Sequence, residues 1–154
     1  MRVLFVCLGN ICRSPTAEAV FRHQVQAAGL QERIQIDSAG TADWHLGKAP
    51  DSRSCEYGSR RGYQLESLRA RQVCAEDFER FDLILAMDYD NLACLQKLRP
   101  ATGRAELDLF LKRYGMSSDV VPDPYYGGDH GFEQVLDLIE QAGFALLEEI
   151  KGRL

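Results

Sequence analysis

The chain has 154 residues, 45% of them apolar, with 18 Lys plus Arg against 23 Asp plus Glu, a net charge of −5. That length suits a single domain over residues 1–154 with a substantial core. No apolar run reaches the ~18 residues of a membrane span, the acidic balance argues against general nucleic-acid binding, and five Cys without a disulfide-framework pattern suit a reducing cytoplasm.

Residues 2–7 are apolar and rich in β-branched or aromatic types, which predicts a first strand rather than a signal peptide, because polar Asn10, Arg13 and Ser14 follow at once. Ser14-Pro15 reads as N-cap and first residue of a helix that runs to Gly29. Arg33–Ser38 alternates as a second strand, and Ala39–Asp51 is a loop. A helix covers Ser52–Arg61 and stops at Gly62. Asp82–Met87 is a third buried strand, and Asp88 caps a helix through Leu98. Leu107, Leu109 and Leu111 alternate, so Ala105–Leu111 reads as a fourth strand. Val121–Asp129 is a loop stiffened by Pro122 and Pro124. Phe132–Ile150 has the apolar spacing of a long amphipathic helix. Strands alternating with helices predict an α/β fold, a parallel sheet with helices on both faces. In such folds ligands bind beyond the carboxyl ends of strands, where Cys7 lies.

Cys7-Leu8-Gly9-Asn10-Ile11-Cys12-Arg13-Ser14 places a thiol and a guanidinium at a spacing able to span one phosphate. With 14 Arg and five Cys, about half a chance match to Cys-x5-Arg is expected, and the chain holds three: Cys7/Arg13, Cys55/Arg61 and Cys74/Arg80. The Cys74 match encloses Glu76, Asp77 and Glu79, which repel a phosphate dianion. The Cys55 match encloses Glu56 and falls inside a predicted helix, which leaves no concave loop. Only the Cys7 match has an uncharged interior between a strand and a helix start. Gly9 allows close backbone approach, and Asn10 tolerates left-handed geometry. Leu8, Gly9, Asn10, Ile11 and Cys12 can then turn successive N–H groups inward as an anion nest, strengthened by the helix dipole. Such an environment favours a thiolate. Arg13 offers two parallel donors to phosphate oxygens, and the Ser14 hydroxyl can donate to the sulfur.

Thiolate attack on a phosphomonoester expels an alkoxide or phenoxide, which a general acid assists. The candidate is Asp123, set between Pro122 and Pro124, with Tyr125 and Tyr126 as walls for a substrate ring. On spacing alone, an Asp-Pro pair is more often an ordinary turn than a catalytic acid.

The loop from Val6 to Pro15, Asp37-Ser38-Ala39-Gly40, Ala70-Arg71-Gln72 and Asp123-Pro124-Tyr125-Tyr126-Gly127 together resemble the low-molecular-weight protein tyrosine phosphatases, in order and over nearly the whole chain. The resemblance implies a four-stranded parallel sheet with flanking helices and the phosphate loop between first strand and first helix. It implies hydrolysis of phosphotyrosine and small aryl phosphates without metal or cofactor. Cys7 forms a cysteinyl phosphate, Arg13 and the loop N–H groups bind phosphoryl oxygens, and Asp123 acts as acid and then base. An acidic pH optimum follows, since Cys7 must be ionised while Asp123 stays protonated. Asn10 and Ser38 match positions that brace the loop, and Trp44 matches an aromatic on the cleft rim. Where many animal members carry a His, this chain has Leu68, which leaves the support of Asn10 in question. Cys7 and Cys12 match a pair that forms a protective disulfide in the family.

The implied partners are tyrosine-phosphorylated proteins, including a bacterial tyrosine kinase, and the chain is read as a monomer or weak dimer. A thioredoxin-coupled arsenate reductase shares the fold, but needs two more thiols after the third strand, where this chain offers only Cys94. A non-catalytic phosphotyrosine-binding module would need the anion loop but not both Cys7 and Asp123, and the chain has both. His23, His45 and His130 lack metal-ligand spacing and read as surface or packing residues, and Cys55, Cys74 and Cys94 as small packing residues.

Overall fold

The computed structural model describes residues 1–124 and 129–154. Strands β1 (Arg2–Cys7), β2 (Gln35–Gly40), β3 (Leu83–Ala86) and β4 (Glu106–Leu109) form one parallel sheet in the order β2-β1-β3-β4. The connecting helices are α1 (Arg13–Ala27), α2 (Ser52–Arg60), α3 (Asp77–Arg80), α4 (Tyr89–Leu98), α5 (Phe110–Arg113) and α6 (Asp129–Lys151).

Alternation along β1 explains why both faces are covered. Val3, Phe5 and Cys7 pack with side chains of α1, α5 and α6, whereas Leu4 and Val6 pack with Phe78 of α3 and Leu95 of α4. A central parallel strand buried on both faces needs the continuous apolar run that Val3–Val6 supplies. Phe5 anchors the larger core, with Phe21 and Phe110 edge-on at centroid distances of 5.9 and 5.2 Å. The chain leaves β1 for β2 on one side and later returns to β3 on the other. The order reverses at β1, and the crevice at such a reversal is where open α/β sheets bind ligands.

Several boundaries differ from the sequence reading. Helix α1 begins at Arg13, so Cys12 rather than Ser14 is the N-cap, and Pro15 sits within the first turn, where its missing N–H costs nothing. The second strand runs two residues later than expected, to Gly40, because β1 pairs with it as far as Cys7↔Gly40. β4 stops at Leu109. Phe110 and Leu111 then turn helically and are both buried, which brings Phe110 under Phe5. The one-turn helix α3 was not foreseen. Asp88 caps α4 as expected: its carboxylate accepts from Asn91 N–H, and the Asn91 side chain accepts from Asp88 N–H.

Candidate active site

Cys7 ends β1, 2% exposed, and the chain from Leu8 to Cys12 curls over it before α1 starts. The carbonyls of Cys7, Leu8 and Ile11 accept from Thr41, Ala42 and Asp51 N–H at 2.9, 3.0 and 2.8 Å. Across a trans peptide the N–H points opposite to the carbonyl. The N–H groups of Leu8, Gly9 and Cys12 are thereby turned away from those partners. Asn10 has φ 57°, the left-handed geometry expected of it, and its N–H donates to Cys7 Sγ at 3.3 Å.

Gly40 is required by close approach. A Cβ there would lie 2.7 Å from the Leu8 carbonyl oxygen and 3.2 Å from Asn10 Cβ. Gly9 faces the His45 ring, 2.9 Å from where its own Cβ would stand.

Arg13 is 3% exposed, and its Nη1 donates to Asp88 Oδ2 at 2.6 Å and to the Val121 carbonyl at 3.2 Å. Its Nη2 stands 3.7 Å from Asp123 Oδ2. Burial opposes the guanidinium's charge, but Cys7, Asp88 and Asp123 outweigh it and raise the arginine pKa above its usual value. Arg13 therefore stays cationic while fixed in orientation. Cys12 is also buried, and burial pushes its thiol up to about 12, with Asp51 and Cys7 adding to the effect and a Ser54 contact opposing it. The Cys12 thiol is thereby held neutral.

Behind the loop Asn10 is held by a buried polar chain to which the apolar Leu68 side chain adds no hydrogen bond. Asn10 Oδ1 accepts from Arg71 N–H at 3.0 Å, and Asn10 Nδ2 donates to Ser14 Oγ at 2.8 Å and Ser38 Oγ at 3.0 Å. Ser38 donates to Glu18 Oε1 at 2.6 Å, and Ser14 Oγ lies 3.0 Å from Cys7 Sγ. Burial raises the Glu18 carboxyl, against the opposing pull of Ser38 and Arg22.

A cleft of about 170 Å³ opens over the loop, lined by Cys7, Leu8, Gly9, Ile11, Cys12, Arg13, Trp44, His45 and Asp123. A cavity of about 150 Å³ is enough for a benzene ring. Trp44 is 65% exposed at the rim, not a lid over the core. Nearly all the residues expected at the site meet in this one place: Cys7 through Ser14, Ser38 behind them, Trp44 and Asp123 at the mouth. Tyr125 and Tyr126 lie outside the described residues.

Sequence reasoning missed His45, Asp88 as the Arg13 partner, and Glu18. Asp88 was legible as a helix cap, and nothing in sequence revealed that its second oxygen reaches α1. Cys94 is exposed on α4 rather than packed. Cys55 lies in α2 and Cys74 just before α3, with Asp77 accepting from Cys74 N–H at 2.9 Å, so neither forms a phosphate loop. Among the described residues no three His, Cys, Asp or Glu side chains are grouped as metal ligands, and no helix is long and apolar enough to cross a membrane.

The family model described as low molecular weight phosphotyrosine protein phosphatase matches residues 2–153. A Schizosaccharomyces pombe low molecular weight phosphotyrosine protein phosphatase is 48% identical over 134 residues, 86% of this chain and 85% of that one. A crystal structure of an Entamoeba histolytica protein tyrosine phosphatase, with Hepes in its active site, is 43% identical with a TM-score of 0.93, covering 100% of this chain and 99% of that one. A Drosophila structure described as an arginine phosphatase is 33% identical with a TM-score of 0.91, covering 98% of each chain. With a full-length family match and relatives at this identity, the chain belongs to the low molecular weight phosphotyrosine protein phosphatases and is a protein-tyrosine phosphatase acting on phosphoprotein substrates.

Proposed function

We propose that Cys7 is the nucleophile, Arg13 with the loop N–H groups the phosphoryl binder, and Asp123 the general acid and base, in one domain spanning 1–154. The observation that carries this assignment is the convergence of Cys7, Arg13 and Asp123 on one cleft at the carboxyl end of β1. In the first step the Cys7 thiolate attacks phosphorus in line with the leaving oxygen. The S–P bond forms as the P–O bond breaks, and Asp123 gives its proton to the departing phenoxide. In the second step Asp123, now a carboxylate, takes a proton from water as the water oxygen displaces Cys7 from phosphorus. Charge building on the equatorial oxygens in both steps meets Arg13 and the loop N–H groups.

The cleft walls favour an aryl substrate. Leu8, Ile11 and Trp44 present apolar surface above the phosphate site, which suits a phenyl ring better than a cationic guanidinium. Tyrosine-phosphorylated proteins, among them a bacterial tyrosine kinase, are the proposed substrates, met in the cytoplasm by a monomer or weak dimer. Peroxide is proposed to join Cys7 and Cys12 reversibly.

The acid role is tested with leaving-group series. Asp123→Ala should lower kcat about a hundredfold for phenyl phosphates of poorly acidic phenols and far less for those of acidic phenols. Equal losses across the series would remove Asp123 from proton transfer.

A further inference from the structure

Cys12 is the loop thiol that the proposed hydrolysis does not use. Burial weighs most against its ionisation, and three anionic groups add to it: Asp51 at the start of α2, the Cys7 sulfur at the end of β1, and Asp123 at the cleft mouth. The nearby cations are engaged elsewhere, Arg53 with Asp51 at 3.3 Å and Arg13 with Asp88 at 2.6 Å. One neighbour acts the other way. The Ser54 hydroxyl favours the Cys12 thiolate.

Ser54 is the third residue of α2, and the start of that helix is fastened to the phosphate loop where Asp51 N–H donates to the Ile11 carbonyl at 2.8 Å. Ser54 is 4% exposed, and its Oγ has no hydrogen-bond partner among the described residues. A buried hydroxyl without a partner is costly and rare. Ser54 also borders a cavity of about 10 Å³ walled by Tyr57, Pro124, Phe132, Val135 and Leu136, at the lower limit for one water and poor in groups to hold it. Thr16, the other hydroxyl there, already donates to the Cys12 carbonyl at 2.6 Å. The polar group left to Ser54 is the Cys12 sulfur, close enough to feel the hydroxyl but not bonded to it in ordinary geometry. A neutral thiol is a weak acceptor, whereas an ionised one is a strong acceptor. The missing bond is one that forms as Cys12 gives up its proton.

We infer that Ser54 is a positioning residue for Cys12, a hydroxyl held in reserve to donate to the Cys12 thiolate as it closes onto oxidised Cys7. The inference rests on the proposed reversible joining of Cys7 and Cys12. Peroxide takes two electrons from the Cys7 thiolate. Its O–O bond breaks, one OH stays on sulfur as sulfenic acid, and hydroxide leaves. The Cys12 thiolate, with Ser54 donating to it, then attacks the Cys7 sulfur. The S–S bond forms, the S–O bond breaks, and the departing hydroxide takes up the proton that Cys12 lost and becomes water. A second peroxide competes for the same sulfenic acid and carries it to sulfinic acid, so the speed of closure decides whether Cys7 is recovered.

The test is Ser54→Ala, treated with hydrogen peroxide, quenched by alkylation at intervals and read by mass spectrometry beside the unmodified enzyme. Loss of the hydrogen bond to the thiolate should raise the Cys12 pKa by about one pH unit. The roughly tenfold smaller thiolate fraction is partly offset because a more basic thiolate attacks faster, so closure should slow about threefold. The ratio of Cys7 sulfinic acid to linked peptide should rise by about the same factor. Alanine is the better helix former, and the deleted hydroxyl has no partner to lose in the resting enzyme. Ser54→Ala should therefore melt no lower and hydrolyse aryl phosphate at the unmodified rate, a separation that a merely structural role would not produce. Unchanged closure and an unchanged sulfinic ratio overturn the role of Ser54. So does a parallel fall in closure and hydrolysis, which would mean that Ser54 shapes the loop instead. If the unmodified enzyme yields no Cys7–Cys12 linked peptide under peroxide, the reading of the thiol pair fails, and the inference fails with it.

Discussion

Asp88 is a single residue asked to do two things. One oxygen caps α4 through Asn91 N–H at 2.8 Å, and the other accepts from Arg13 at 2.6 Å. Asn is as good an N-cap as Asp but brings no charge to Arg13. Asp88→Asn should therefore lower kcat/KM about tenfold with melting nearly unchanged. Asp88→Ala should add a stability loss of about 1 kcal/mol from the lost cap. Steady-state kinetics and denaturant unfolding on the pair separate the two duties. Equal stability losses would mean the Asp88–Arg13 contact is structural only. Cys12 makes a second residue-scale prediction. With its thiol pushed up to about 12, little of it is thiolate at neutral pH. Closure onto an oxidised Cys7 should speed up steadily between about pH 7 and 9, as read by mass spectrometry of the linked peptide. A pH-independent rate would show that Cys12 ionisation does not limit closure.

At the scale of elements, the end of β2 and the phosphate loop are built against each other. Gly40→Ala should push the Leu8 carbonyl outward, at a cost of about 1–3 kcal/mol, and lower activity more than that loss of stability explains. Far from the cleft, α5 and α6 are tied by Arg113. It donates to Glu149 at 3.0 and 2.7 Å and to Asp108 at 3.1 Å, and also pairs with Glu106. Hydrogen bonds from Arg113 hold the Glu149 carboxyl down at about 2, against burial, with Tyr114 helping. A depressed carboxylate stabilises fully above its unfolded value and loses that contribution as pH falls toward about 2. Glu149→Gln should flatten the acid limb of the stability profile, measured by urea unfolding between pH 5 and 2 (about 1 kcal/mol). These elements also mark where periodicity was informative and where it was not. The alternation of β1 was readable because both its faces are buried. The alternation at Leu107, Leu109 and Leu111 misled, since Leu111 owes its burial to a helical turn that carries Phe110 into the core. Ser14 looked like an N-cap because cap preference is local; its contact with the Cys7 sulfur was legible from the loop, and the folded structure adds its bond from Asn10.

For the whole molecule, the switch of strand order at β1 puts the β1–α1 loop, the end of β3 and the Val121–Asp123 segment at one edge of the sheet. The chemistry was legible at the loop because its residue types carry local geometry: a glycine, an asparagine able to go left-handed, and an arginine opening a helix. The supports were not, because Asp88, Glu18, Arg71 and His45 reach the site only through the topology. Since the proposed mechanism draws on side chains and backbone alone, hydrolysis of aryl phosphate should be unchanged by exhaustive chelation. A loss restored by added divalent metal would contradict it.

The central claim is that phosphate passes through Cys7. Acid-quenching the enzyme during turnover of an aryl phosphate and mapping the phosphoryl group by mass spectrometry tests it directly. The expected result is one phosphoryl group on the peptide bearing Cys7, more of it in Asp123→Ala, and neither the modification nor hydrolysis in Cys7→Ser. Turnover by Cys7→Ser at the unmodified enzyme's rate, with no phosphocysteine trapped in either, would contradict the account.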